Sequence, residues 1–156
     1  MEIKLVRANV DDAETIWKMQ IKAFTELLQR YQDYETSPAN ESLEKVQGRL
    51  QMESTYFYFI QMDGENVGAI RVVDAKEPDS KKRISPLFIL PQFRNKGIAQ
   101  LAIKEAEKIH GSNKWNLSTI LQEQGNCYLY EKMGYRRTGK TEVINDKLTL
   151  VFYEKE

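Results

Sequence analysis

The spacing of apolar side chains divides this chain of 156 residues into alternating strands and helices. Short apolar runs bounded by turn residues predict strands at 3–7, 56–62, 67–73, 83–90, 115–120, 135–144 and 148–153. Apolar positions at helical spacing predict helices at 13–31, 41–51, 97–110 and 126–133. Because no repeat, low-complexity segment or linker interrupts this pattern, the sequence predicts one α/β domain spanning residues 1–156.

Turn, capping and proline residues refine the predicted elements. Asp11 and Asp12 precede the first helix and are its candidate caps. Residues 32–40, which are polar and partly aromatic, and the charged stretch 76–83 should be irregular connections. Pro86 falls inside the fourth predicted strand, and since proline has no N–H to donate, we expect a bulge or a local loss of pairing there.

The most informative stretch follows this fourth strand, where an apolar run ends at Pro91 and a helix begins near Gly97. The first N–H groups of a helix have no partner inside it and carry partial positive charge, so a phosphate is favoured there. Gly97 allows a close backbone approach or a positive φ, while Arg94 and Lys96 add positive charge. By itself the loop also fits an ordinary strand-to-helix connection with solvated basic residues.

Two segments in the expected order resemble the signatures of the GNAT superfamily of acyl-CoA-dependent N-acetyltransferases. In the first, Arg94, Gly97 and Ala99 occupy the positions of its phosphate-binding motif, with Pro91 before it and Ile98 within it. Asn95 is a departure, since many relatives carry glycine there, but asparagine tolerates left-handed geometry well. In the second, residues 126–135 match a helix that carries Tyr130 and ends at Gly134 and an aromatic residue.

The resemblance implies a mixed, mostly antiparallel sheet of about seven strands that splays between strands four and five, flanked by about four helices. It implies acetyl-CoA as a co-substrate, with no metal. The backbone of Leu87 and Ile89 would pair with the pantetheine amides, and Asn126 would hydrogen-bond to pantetheine. Lys132 would reach a terminal phosphate or remain a solvated charge. The loop that would hold the pyrophosphate comprises Arg94, Asn95, Lys96, Gly97, Ile98 and Ala99.

Tyr130 is the candidate general acid, because the matching tyrosine of the family protonates the departing thiolate; the alternative is a packed aromatic on an amphipathic helix. No activated nucleophile is visible, so direct attack by an amine of a small molecule or peptide is expected. The acceptor pocket and the general base are weakly indicated. Their candidates come from the first helix and the segment after it: Phe24, Tyr31 and Tyr34 for the pocket, and Asp33 and Glu35 for the base, with Asp33 also counted in the pocket.

Composition excludes several other classes of function. The 23 basic and 23 acidic residues balance, which favours neither nucleic acid nor an anionic membrane as a partner. The first residues lack the organisation of a signal peptide and the longest strongly apolar run, 56–60, is too short to span a bilayer, so a cytoplasmic protein is expected. One histidine, His110, and one cysteine, Cys127, form no metal-ligand pattern and are interpreted as structural.

A different class of function remains open at this stage: an acyl-CoA-binding sensor or regulatory module without catalysis, since no base is obvious. A phosphate-loop NTPase is set aside: residues 134–141 match the pattern G-x-x-x-x-G-K-T, but they fall in the predicted strand 135–144, whereas a phosphate loop joins a strand to a helix. The sequence leaves the acceptor, the choice of acetyl over a longer acyl group and the oligomeric state open, a homodimer included.

Overall fold

A computed structural model describes residues 2–156, and seven strands in this range form one sheet. The spatial order is β1-β2-β3-β4-β5-β7-β6, and neighbouring strands are antiparallel except for the parallel pair β4 and β5. The predicted α/β class with a mixed, mostly antiparallel sheet is therefore confirmed. The strands are β1 (Ile3–Arg7), β2 (Thr55–Met62), β3 (Glu65–Val73), β4 (Lys82–Ile89), β5 (Trp115–Ile120), β6 (Arg136–Val143) and β7 (Thr149–Lys155).

Four α-helices within the described range cover the two faces of the sheet. The helices α1 (Ala13–Tyr31) and α2 (Leu43–Gln51) lie on one face, and α3 (Ile98–His110) and α4 (Gln124–Lys132) lie on the other. Strand β2 is buried on both sides, since Phe57 packs toward α1 and α2 whereas Tyr58 packs toward α3 and α4. This double burial explains why 56–60 is a continuous apolar run rather than an alternating one.

The start of the first helix agrees only in part with the sequence-based expectation. Asp12 stands at the N-cap of α1 but makes no side-chain capping bond to it, and a 3-10 turn that Asn9 caps precedes the helix. The Asn9 Oδ1 accepts a hydrogen bond from the Asp11 N–H at 2.9 Å, and the Asp12 Oδ2 accepts one from the Asn9 N–H at 2.9 Å. This capping box closes a short 3-10 turn, Val10–Asp12, that continues directly into α1. The Asp12 side chain therefore stabilises this turn by accepting a bond from Asn9, whereas Asp11 takes part only through its backbone N–H.

Strand β4 carries the irregularity that Pro86 predicts. Val72 of β3 pairs with Ile84 and Ile70 pairs with Leu87, so Ser85 and Pro86 together face the single residue Arg71. This arrangement is a β-bulge, and the prediction made from Pro86 is confirmed. Beyond the bulge β4 also leaves its other neighbour, because pairing with β5 is limited to Lys82 with Trp115 and Arg83 with Asn116.

His110 lies at the end of α3 in a buried hydrogen-bond network. Its Nδ1 is 2.7 Å from Asp74 Oδ2, and its Nε2 is 2.9 Å from the Tyr58 hydroxyl. Burial lowers the pKa of His110, although the Asp74 carboxylate acts in the opposite direction. Burial raises the pKa of Asp74, but hydrogen bonds from His110 and from the Lys76 N–H outweigh it, so the pKa is lowered. The network joins α3 to β2 and the end of β3.

None of the helices in residues 2–156 is long and apolar enough to cross a membrane. Over that range, no three His, Cys, Asp or Glu side chains are grouped so that they could hold a metal ion. Cys127 is buried on α4, and its Sγ is 3.9 Å from the carbonyl oxygens of Ile120 and Leu121. Its environment is that of a packed core residue.

A single methyl group tests how tightly β3 and β4 approach each other. A Cβ added at Gly68 would overlap the carbonyl oxygen of Phe88 and lie 3.1 Å from the Cα of Ile89. Because backbone atoms cannot yield as a flexible side chain does, we expect Gly68→Ala to lower the free energy of unfolding by about 1–3 kcal/mol, measured by urea denaturation. Gly48→Ala in α2 is the matched control, since a Cβ there meets no atom within 4 Å and alanine favours a helix by about 0.5–1 kcal/mol. Equal stability of the two variants would contradict this close packing.

Candidate functional site

The gap between β4 and β5 opens into a cleft of about 710 Å³. Its walls come from the second half of α1, from β4, from the loop before α3 and the first turn of that helix, and from the ends of β5 and α4 that meet beside it. In open α/β sheets, ligands bind beyond the carboxyl ends of the strands, where neighbouring connections diverge. The cleft lies at that position between the only parallel pair in the described sheet.

The loop before α3 has the geometry that its sequence predicts. Asn95 and Gly97 have positive φ angles of 64° and 78°, and Gly97 stands at the N-cap of α3. No side chain among residues 2–156 caps this helix, so its first N–H groups remain available. Asn95, Gly97, Ile98 and Ala99 line the cleft. The first turn of α3 therefore offers a backbone site for an anion at one end of the cleft.

The two basic side chains of the loop differ, since Arg94 bonds to the protein backbone whereas Lys96 is exposed. The Arg94 Nε donates to the carbonyl oxygen of Ile89 at 3.0 Å, and one terminal nitrogen donates to that of Ala23 at 2.7 Å. These bonds tie the end of β4 to α1, which leaves less of the guanidinium for the phosphate pairing expected from the sequence. Lys96 is exposed, with its Nζ 5.8 Å from the centre of the Phe93 ring.

The outer edge of β4 presents unpaired backbone groups to the cleft. The Leu90 N–H donates to the Val67 carbonyl on β3 at 2.8 Å, and in an antiparallel pair such bonds occur at alternate residues. The N–H and C=O groups of Leu87 and Ile89 therefore point away from β3, toward the gap that β5 leaves open. Only the Ile89 carbonyl has a partner there among residues 2–156, the guanidinium of Arg94. Leu87 and Ile89 both line the cleft.

Tyr130 lines the cleft from the opposite wall, on α4. Its ring is 8% exposed and packs against the rings of Tyr135 and Tyr153, with centroids 6.0 and 6.2 Å away. Burial, and to a smaller degree the nearby Cys127, raises the pKa of Tyr130, so its hydroxyl keeps its proton at neutral pH. A protonated hydroxyl in this position can donate a proton. Tyr128, two residues earlier on the same helix, is exposed.

Of the other residues predicted on α4, one lies at the cleft and one does not. Asn126 lines the cleft at the start of the helix. Lys132 is at the end of the helix, with its Nζ 6.0 Å from the centre of the Tyr128 ring on the exposed surface. Lys132 is not among the cleft-lining residues of the described chain.

The predicted acceptor residues separate into two groups. Phe24 and Asp33 line the cleft, and Phe24 packs edge-on against Phe88 at 5.7 Å between ring centres. The carboxylate of Asp33 accepts hydrogen bonds from the Glu35 and Thr36 N–H groups and from the Thr36 hydroxyl, so it fixes a turn. Tyr31, Tyr34 and Glu35 are not among the residues of the described chain that line the cleft. Tyr31 is buried behind it and Tyr34 is 60% exposed.

Sequence reasoning missed a carboxylate that lines the cleft just after β5. Glu123 Oε2 accepts hydrogen bonds from the Tyr31 hydroxyl at 2.5 Å and from Arg30 at 2.7 Å. Its Oε1 has no hydrogen-bond partner among residues 2–156. Arg30 also pairs with Glu26, which lines the same wall. The available signal was the position of Glu123 in the short connection between β5 and α4, at the carboxyl edge of the sheet.

Comparison with known families supports the assignment that the two sequence signatures suggest. A family model described as "Acetyltransferase (GNAT) domain" matches residues 20–156. The match includes the loop before α3, the outer edge of β4 and Tyr130.

Similar individual proteins agree with this match. The chain is 33% identical over 88 residues to the "Uncharacterized N-acetyltransferase YdgE" of Bacillus subtilis (strain 168), a match that spans 53% of this chain and 56% of that protein. An acetyltransferase structure from Thermus thermophilus has a TM-score of 0.72 at 14% identity, over 98% of this chain and 96% of its own. Spermidine N-acetyltransferase from Vibrio cholerae, solved with CoA and spermine, has a TM-score of 0.75 at 15% identity, over 97% and 93%. At such identities these two structures resemble the chain in fold.

Proposed function

This chain belongs to the GNAT family of acetyltransferases, and we propose that it transfers an acetyl group from acetyl-CoA to a primary amine of a small molecule or a peptide. The observation that carries the proposal is the shared cleft. The open first turn of α3, the unpaired edge of β4 and Tyr130 all line it. Spermidine N-acetyltransferase, which has the same fold, is a protein that acts on an amine.

The residues of the cleft fit the parts of coenzyme A in order. The N–H groups at the start of α3 would hold the pyrophosphate, because Gly97 leaves them uncovered. The free groups of Leu87 and the N–H of Ile89 would pair with the pantetheine amides as a further strand would. Asn126 would add a side-chain hydrogen bond from the opposite wall. Arg94 would support this site by holding the end of β4 in place.

Bound acetyl-CoA would supply an activated thioester, whose carbonyl carbon the amine nitrogen attacks while the carbon–sulfur bond breaks. The unpaired N–H groups of β4 would stabilise the negative charge that develops on the carbonyl oxygen. Tyr130 would donate its proton to the departing sulfur, which its raised pKa permits because the hydroxyl stays protonated. The side chains of α1 and the segment after it would form the acceptor wall, with Phe24 as an apolar part of it.

The amine must also lose a proton, because an amine of the lysine type is mostly protonated at neutral pH. We assign this proton to Glu123, the cleft carboxylate whose Oε1 is without a partner among the described residues. Tyr31 and Arg30 hold its other oxygen and so fix the orientation of the carboxylate. Of the two bases considered from sequence, Asp33 has both oxygens occupied by its own turn, and Glu35 is not among the cleft-lining residues of the described chain.

Calorimetric titration with acetyl-CoA tests the cofactor site. We expect binding to weaken at least about tenfold, or 1.4 kcal/mol, in Ala99→Val and in the Gly97→Val, Ala99→Val double variant, because the added methyl groups cover the N–H groups of α3. The single variant keeps a helical backbone, so its effect cannot come from strain at the positive φ of Gly97. Gly48→Val, on the far helix α2, is the control, and thermal midpoints are recorded for all variants. Absence of acetyl-CoA binding to folded wild-type protein would overturn the proposal.

Thiol release from acetyl-CoA across a panel of amines tests the role of Tyr130. We expect Tyr130→Phe to lower kcat by about 10²–10⁴-fold with unchanged acetyl-CoA affinity, because the ring packing remains and only the hydroxyl is lost. Tyr128→Phe on the exposed surface of the same helix should keep its full kcat. An unchanged kcat in Tyr130→Phe would assign this residue to packing. Binding of acetyl-CoA without thiol release for any amine would instead favour the non-catalytic sensor.

The rate of thiol release tests Glu123. We expect Glu123→Gln to lower kcat/KM by about 10²–10⁴-fold at neutral pH with unchanged acetyl-CoA affinity, because the amide has nearly the same shape but cannot accept a proton from the amine. Glu26→Gln is the matched control, because it also removes a partner of Arg30 but leaves Glu123 in place. An unchanged kcat/KM in Glu123→Gln would exclude this base.

A further inference from the structure

An arginine without an acidic partner lies at the closed end of the cleft. Arg83 is the last residue of β4 that pairs with β5, and it lines the cleft. One of its terminal nitrogens is 3.5 Å from Asn116 Oδ1 and the other is 3.4 Å from Ser118 Oγ. Both distances exceed the usual range of about 2.7–3.2 Å, so neither neutral group satisfies the guanidinium fully.

The charge of Arg83 is uncompensated within residues 2–156, since none of their ion pairs includes it. Burial lowers its pKa, and no carboxylate acts against this effect. A second guanidinium, that of Arg71, donates to the Ser85 carbonyl in the bulge. Burial lowers the pKa of Arg71 to about 10, Arg49 and to a smaller degree Arg83 act in the same direction, and the Glu41 carboxylate acts against them. Arg71 therefore has a nearby carboxylate, whereas Arg83 has none among the described residues and would gain from a bound anion.

The other arginines of the cleft are already satisfied. Arg30 pairs with Glu26 and Glu123, and Arg94 donates to two backbone carbonyls. Arg83 differs from them because its two contacts are long and are made to neutral side chains. The hydroxyl of Ser118, which also lines the cleft, has no acceptor among the described residues, so two donating side chains meet at this point.

The side chain of Arg83 is directed toward the open end of the cleft. Its partner across the strand pair is Asn116, yet it also contacts Ser118, which lies two residues further along β5. At about 3.3 Å per residue, Leu87, whose N–H is one of the β4 groups proposed to face the thioester carbonyl, lies roughly 13 Å along β4 from Arg83. A small molecule that reaches the guanidinium can therefore present its amine beside the thioester.

We propose that Arg83 and Ser118 form a subsite for an anionic group of the acceptor, so that the substrate is an amine that also carries a carboxylate or a phosphate. The guanidinium offers N–H groups to the anion, the Ser118 hydroxyl donates from the β5 side, and the Asn116 side chain contacts the guanidinium from outside the cleft. This inference rests on the proposed acetyltransferase function and names the acceptor class for that same cleft.

The experiment measures thiol release from acetyl-CoA for pairs of acceptors that differ in charge: β-alanine with β-alaninamide, phosphoethanolamine with ethanolamine, and a short peptide with a free or an amidated C-terminus. We expect kcat/KM to be at least about tenfold higher for an anionic member than for its neutral partner. The carboxylate and phosphate pairs identify which anion is preferred. In Arg83→Gln the ratio of kcat/KM for the anionic acceptor to that for its neutral partner should fall to about one. The reason is that KM rises for the anionic acceptors while the values for the neutral acceptors stay the same.

Two further variants separate recognition from folding. Arg83→Lys keeps the charge without the planar fork and should retain part of the preference. Arg136→Gln, an exposed arginine on β6, should retain all of it. Thermal midpoints without acceptor should not fall in Arg83→Gln, because a partly buried charge without a partner is removed. Equal rates for anionic and neutral amines, or a preference that survives in Arg83→Gln, would overturn the subsite. If neither the anionic nor the neutral amines cause thiol release, the acetyltransferase function itself would be contradicted.

Discussion

The early end of the pairing between β4 and β5 is the constraint on which the rest of the site depends. Only two residue pairs join these parallel strands before the bulge at Ser85 and Pro86 redirects β4. Unpaired backbone groups are costly when they are buried, so the separated edges must face water, a side chain or a ligand. Arg94 satisfies one of them at Ile89, and the others face the cleft. This gap exposes the edge of β4. It also forms the cleft that the first turn of α3 and Tyr130 line together.

A gap of this size in a sheet is tolerated because the strands on both sides of it are well anchored. Strands β2 and β3 are buried on both faces, between α1 and α2 on one side and α3 and α4 on the other. On the far side, β5 pairs along its whole length with β7. The close approach at Gly68 fixes β4 against β3 directly behind Leu87 and Ile89. The position of the open edge is therefore set by packing at a distance from it.

The charges of the cleft show how one fold can serve different acceptors. The first turn of α3 acts through backbone groups, which any sequence with a small residue there can supply. The acceptor side depends instead on single side chains. Glu123 is held by Tyr31 and Arg30, whereas Arg83 makes only long contacts to two neutral side chains. Fold and cofactor site can thus be shared within a family while the residues of the acceptor wall determine its substrate.

The sequence by itself determined the strands and helices to within two residues, the bulge near Pro86 and the backbone geometry at Asn95 and Gly97. These features depend on local properties: side-chain periodicity, the missing N–H of proline and the tolerance of glycine and asparagine for positive φ. Only the tertiary structure decided that Arg94 bonds to Ile89 and Ala23 and that Glu123 and Arg83 line the cleft. Each of these features depends on which distant segments of the chain come into contact. The sequence shows that a residue is charged, but it does not show whether the partner of that charge is a carboxylate, a carbonyl or no group at all.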